Sequence, residues 1–163
     1  MSIAANPGTG TGETVGVILD GYEFRPGLTY DPTDGMWIAD RGAGVLRLGI
    51  NALSADSYGA LAQLVLDPVG TALTRGGAFG SLEAAKFVGP LISPLTGTVH
   101  AVNCAVLDDP GLVLASPYDE GWLVEIAVAG DDAGRDLLLD GDLARAWFIQ
   151  AVAEHREKGL VAE

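Results

Sequence analysis

Lys86 is one of two lysines in a chain of 163 residues, and it stands between two short runs that read as strands. The frame runs from Phe79 through Gly80, Ser81, Leu82, Glu83, Ala84 and Ala85 to Lys86. It continues as Phe87, Val88, Gly89 and Pro90 and closes with Ser93 to Val99. A solitary primary amine in such a hairpin-like frame makes an attachment point. Ala84 and Ala85 are small enough to leave the amine approachable.

The other residue types with chemical potential do not assemble. His100 and His155 are the only histidines and fall on unrelated segments, which leaves metal and catalytic-triad readings thin and a structural role for each. Cys104 is the only cysteine, so an intrachain disulfide and a cysteine metal cluster are both excluded; beside Asn103 it reads as a small buried hydrophobe, or else as a weakly reactive thiol. Asp108, Asp109, Asp119 and Glu120 lack EF-hand spacing and read as solvated loop charges. Gly76 and Gly77 belong to no phosphate-binding motif and read as turn residues.

The elements that must hold the lysine are short and β-rich. Apolar runs at Met36 to Ala39, Val45 to Ile50, Leu61 to Leu66, Ala78 to Leu82, Leu91 to Ile92, Thr98 to Val102 and Trp122 to Val128 are separated by Gly, Pro, Asp and Asn. They predict an antiparallel sandwich or barrel with brief helical turns, one around Ser54 to Gly59. Val15 to Leu19 predicts an edge strand or packing segment. Ala144, Trp147, Phe148, Ala151, Val152 and His155 form one apolar helical stripe. Asp140 or Asp142 would cap its start, and Arg156, Lys158 and Gly159 its end. Trp37 and Trp122 read as core or rim aromatics.

Glu83 three residues before Lys86, and Gly97 eleven after it, give the frame the spacing of the lipoyl-carrying hairpin of the glycine cleavage H proteins, which this chain resembles. The resemblance extends over most of Tyr30 to Val128: Trp37, Gly49, Ile50, Val69, Gly70, Val102, Asn103, Leu107, Asp109, Pro110 and the run Ser116 to Leu123. It implies a mainly β, lipoyl-domain-like fold (a barrel-sandwich hybrid), with lipoate joined covalently to Lys86. It implies a recognition or packing role for Glu83, with an ordinary exposed strand charge as the other reading, and a turn role for Gly97.

It also implies a carrier without catalytic residues. The dithiolane supplies thiol–disulfide chemistry, and the tether raises the effective concentration of the reactive sulfur at successive enzyme sites. Phe87, Val88, Gly89 and Pro90 are similar to the H-like lipoate-binding proteins of heterodisulfide-reductase-like sulfur oxidation, and Gly35 and Met36 stand where glycine cleavage H proteins carry His and Glu. The favoured pathway is therefore sulfur oxidation. The alternative is aminomethyl transport in glycine decarboxylation. Unlike biotinyl carriers, the chain has Ala85 and Phe87 instead of methionines around the lysine. An unmodified interaction module is the further alternative.

The expected organisation is a leader over 1–14, an N-terminal extension over 15–29, the lipoyl domain over 30–129 and a C-terminal helical extension over 130–163. Expected partners are a lipoate ligase or lipoyltransferase, and either a heterodisulfide-reductase-like complex or the glycine cleavage P, T and L proteins. A formal charge of −13 argues against nucleic acid and anionic lipid surfaces. The start of the chain has neither a basic segment nor a long apolar run, which fits a cytoplasmic protein.

Overall fold

The computed structural model describes residues 16–128 and 135–161. The expected leader lies outside the described residues, as does the start of the C-terminal extension. Eleven strands are described: β1 (Val17–Leu19), β2 (Tyr22–Phe24), β3 (Thr29–Tyr30), β4 (Met36–Gly42), β5 (Val45–Ile50), β6 (Leu61–Leu66), β7 (Ala72–Leu73), β8 (Ala78–Ala84), β9 (Phe87–Ile92), β10 (Gly97–Val102) and β11 (Val124–Ala127). The helices are α1 (Ala52–Tyr58), α2 (Cys104–Asp108), α3 (Leu112–Ala115) and α4 (Gly141–Val161), with a 3₁₀ turn at Arg135–Leu137.

A six-stranded sheet in the order β3-β4-β5-β11-β10-β7 faces a three-stranded sheet in the order β6-β8-β9, and each strand pair in them is antiparallel. The sandwich expected from the short apolar runs is present. Leu82 and Ala84 turn inward on β8 while Ser81 and Glu83 turn outward, the two-residue alternation that lets a sheet bury one face and solvate the other, and Phe79 turns inward as well, on the far side of a register shift between Ala78 and Gly80. Between the sheets these residues join Leu46, Leu48, Ile50, Leu91, Leu95, Val99, Val106, Val113 and Ile126 in one core.

A second core lies under α4. Ala144, Phe148 and Val152 are fully buried against Phe24, Leu28, Tyr30, Trp37 and Tyr118. The helical stripe therefore packs on the β-body, with Trp147 and Ala151 half-buried at its margin. The helix does not stop at Gly159 but runs through it to Val161. Trp37 is a core residue, its indole N–H donating to the Pro117 carbonyl at 2.9 Å. A side chain on Gly49 would meet that indole at 2.4 Å, so this strand position is held to glycine by packing. Trp122 sits at the rim beneath the Arg47 guanidinium, 4.2 Å from the ring centre.

Three sequence expectations need correction. Gly97 is not a turn residue but opens β10, where a Cβ would strike the Ala127 carbonyl at 2.4 Å; close backbone approach, not left-handed geometry, explains the glycine. Cys104 is exposed instead of buried, because Asn103 caps α2 and places it on the first outward position. Asp119 is not a free loop charge. Both its oxygens accept from the Arg25 guanidinium at 2.8 Å, and Arg25 also donates to Glu23.

Arg25 is itself buried, so removing a counter-charge has an energetic consequence. Its hydrogen bonds hold the Asp119 carboxyl below the usual carboxylate range. A carboxyl lowered on folding stabilises the native state above its unfolded pKa, and that stabilisation disappears as pH falls through the lowered native value. Asp119→Asn should therefore cost about 1–2 kcal/mol at neutral pH, since Glu23 still faces Arg25 and Asp119 is itself largely exposed. The gap to wild type should close once the pH is well under about 4. Urea unfolding across pH checks both the sign and the closure.

Candidate functional site

Ala84 pairs with Phe87 across the β8–β9 ladder, leaving Ala85 and Lys86 as a two-residue turn. Both are exposed. Two-residue hairpin loops usually adopt turns with positive φ, because that geometry matches strand twist. Neither Ala85 nor Lys86 has positive φ. The turn is instead held from outside: the Lys86 N–H donates to the Tyr58 carbonyl at 2.9 Å and the Ala85 N–H to the Ala60 carbonyl at 3.0 Å. Both amides of the turn are thus satisfied by the last residue of α1 and the segment just after it.

That segment is fixed in its own right. Asn51 caps α1 by accepting from the Ser54 N–H at 2.9 Å while donating to the Gly35 carbonyl at 2.9 Å. Gly59 ends the helix at φ 82°, and a Cβ there would approach the Ala85 Cβ to 3.2 Å. Its missing side chain lets the backbone pass beneath the lysine turn. The Tyr58 ring stacks on Phe87, with centres 4.7 Å apart and planes 26° from parallel. Burial pushes the Tyr58 phenol up and keeps it neutral. The chain from Asn51 through α1 to Tyr58 fixes the base of Lys86, while the side chain itself stands in solvent.

Beside the turn, a cleft of about 340 Å³ runs along β9 past Tyr58, Phe87 and Pro90 toward α4. Its walls mix apolar surface with the hydroxyls of Ser54 and Ser57, and Asp34 is its single charged residue. Burial pushes the Asp34 carboxyl up, which a cation nearby would oppose. Sequence reasoning passed over Asp34, Tyr58 and the cleft.

Glu83 is exposed on β8, opposite Val88 on one side and Gln63 on the other. It shares the lysine's hairpin, and its outward placement keeps it out of the core. His100 lies exposed on β10, whereas His155 lies on α4, its ring edge-on to Tyr22 and its Nε2 4.0 Å from Asp56. Among the described residues no three His, Cys, Asp or Glu side chains form a metal-holding group. No described helix is long and apolar enough to cross a membrane. The arrangement can present an amine on a braced turn; an acyl arm joined there would find a fixed base, an open approach over Ala85 and Gly59, and a partly apolar cleft alongside.

The family model for the glycine cleavage H-protein matches residues 28–148, a span that takes in the hairpin and the first turns of α4. A glycine cleavage system H protein from Micrococcus luteus is 41% identical over 117 residues, 71% of this chain and 90% of that protein. One from Mycolicibacterium vanbaalenii is 37% identical over 126 residues, 76% of this chain and 95% of the relative. The crystal structure of a glycine cleavage system H protein from Mycobacterium marinum superposes with a TM-score of 0.63 at 30% identity, over 76% of this chain and 95% of that one.

Proposed function

This chain belongs to the glycine cleavage H-protein family, and from that premise we propose that it is the non-catalytic lipoyl carrier of a glycine cleavage system, with Lys86 as the point of attachment. When bound, lipoate supplies a dithiolane that opens to accept the aminomethyl group and is afterwards reoxidised. The protein's own part is mechanical. The β8–β9 hairpin exposes the Lys86 amine, Tyr58 and Ala60 hold the turn by its backbone amides, and Gly59 clears the space beneath it. A fixed base turns the encounter of the arm with successive enzyme sites into a local search.

The observation that carries this reading is the bracing of the Lys86 turn, where the Tyr58 and Ala60 carbonyls and the bare Gly59 backbone all serve to hold one exposed amine. The relatives support glycine cleavage over the sulfur-oxidation pathway that Phe87 to Pro90 favour. Both pathways need the same modified lysine, so the partner enzymes separate them. Lipoylated protein mixed with glycine cleavage P, T and L proteins should release carbon dioxide from glycine at a rate that depends on its concentration. Lipoylated protein that supports no release there, but exchanges electrons with a heterodisulfide-reductase-like complex, would overturn the glycine-cleavage role.

A further inference from the structure

The β1–β2 hairpin and the last turns of α4 lie outside the residues 28–148 that match the family model, and they meet over α1. The Tyr22 hydroxyl donates to Asp56 Oδ2 at 2.6 Å. His155 Nε2 stands 4.0 Å from the same oxygen, with its ring edge-on to that of Tyr22. Arg156 donates to the Asp20 carbonyl in the turn that joins β1 to β2. The bond to Asp56 pushes the Tyr22 phenol up, so it stays a donor. Asp56 thus ties α1 to both segments, from a position that does the helix itself no good. It stands in the last turn, where a carboxylate opposes the helix dipole, and no basic residue in that turn offsets it. A helix of seven residues depends on what packs against it. Two residues beyond Asp56 is Tyr58, whose otherwise orphaned carbonyl accepts the Lys86 N–H.

We infer that Tyr22 and Asp56 are positioning residues for the arm: the β1–β2 hairpin and the end of α4 clasp the last turn of α1, and through the Tyr58 carbonyl they fix the turn that carries Lys86. The inference rests on the proposed carrier role for Lys86 as the attachment point. A phenol donating to a carboxylate makes a charge-assisted bond, stronger than a neutral one. Without it the last turn of α1 opens more often, and the Tyr58 carbonyl leaves the Lys86 amide each time it does. The base of the arm then spreads over a larger volume. The effective concentration of its tip at a partner's site falls accordingly.

The test follows solvent exchange of the Lys86 and Ala85 amides by NMR in the full-length unmodified protein. Tyr22→Phe removes only the hydroxyl and should speed exchange at Lys86 by roughly three- to tenfold. Asp56→Ala should act in the same direction, although alanine is the better helix former and removes the opposing charge. A residue that served α1 alone would give the opposite sign, slower exchange. The double variant should match the single ones, since both break one bond. Gln150→Ala, which breaks the Gln150–Glu154 bond on the exposed side of α4, should exchange as wild type does. In lipoylated protein, Tyr22→Phe should raise the partner enzymes' KM for the carrier by roughly two- to fivefold without lowering kcat. Exchange at Lys86 that is unchanged or slower in folded Tyr22→Phe and Asp56→Ala, or a wild-type KM, overturns the clasp and leaves the carrier role intact. Wild-type protein that gains no lipoyl mass at Lys86 overturns the carrier role, and with it the positioning of an arm.

Discussion

Lys86→Arg should abolish lipoate attachment and reduce glycine-dependent turnover, in the presence of the partner enzymes, to that of a mixture lacking the carrier. The substitution keeps the positive charge and most of the length, so the fold and surface field are preserved. What it removes is a titratable amine. Guanidinium stays protonated above pH 12 and has no lone pair to offer an acyl donor at physiological pH. The only other lysine, Lys158, is exposed near the end of α4, a helix instead of a hairpin turn. Lys158→Arg should therefore carry lipoate and turn over as wild type does. Measuring adduct mass and carbon dioxide release for the two variants side by side separates a loss of attachment from a general loss of charge.

Phe148→Ala should be the most destabilising of the single substitutions considered, at about 3–5 kcal/mol. Phe148 is fully buried, with its ring 5.3 Å from that of Phe24 and 6.1 Å from that of Tyr30. It is the knob by which α4 enters the second core, and Ala144 and Val152 on either side are too small to close the cavity. Against a typical total of about 5–15 kcal/mol for a domain, such a loss is a large fraction. Leu143, 70% exposed on the same helix, should tolerate alanine within about 0.5 kcal/mol. Urea unfolding of the pair distinguishes the packing of α4 from its helix propensity. A Phe148→Ala midpoint close to wild type would mean that α4 contributes little to stability.

The elements visible in the sequence are those whose signal is local and repeated. Val45 to Ile50 and Leu61 to Leu66 coincide with β5 and β6 because both are apolar runs bounded by turn residues. The α4 stripe was legible because six apolar or aromatic positions recur at helical spacing over three turns. The placement of Lys86 at a hairpin turn was legible from the two short runs that flank it, although nothing local reveals why position 97 is glycine; the reason is the Ala127 carbonyl, thirty residues away.

The parts that escaped are made by distant or very short segments. The Lys86 N–H reaches the Tyr58 carbonyl, and a backbone bond of that kind leaves no mark on residue type. Arg25 and Asp119 are separated by 94 positions, so Asp119 resembles any loop aspartate until the fold brings the two together. Strand β7 and helices α2 and α3 are two to five residues long, too brief for periodicity to register. Asn103 did hold a signal: a capping residue ahead of Cys104 turns the following residues outward and inward in helical order, which is what exposes the thiol.

In the proposed carrier, the cofactor is joined at the exposed amine of the β8–β9 turn. Peptide mapping by mass spectrometry of wild-type protein acylated by purified lipoate ligase tests this attachment most directly. A single lipoyl increment on the peptide containing Lys86, absent from Lys86→Arg, is the predicted result. An increment on Lys158 or on the chain's amino terminus, or an unmodified Lys86 after exhaustive treatment with active ligase, would contradict it.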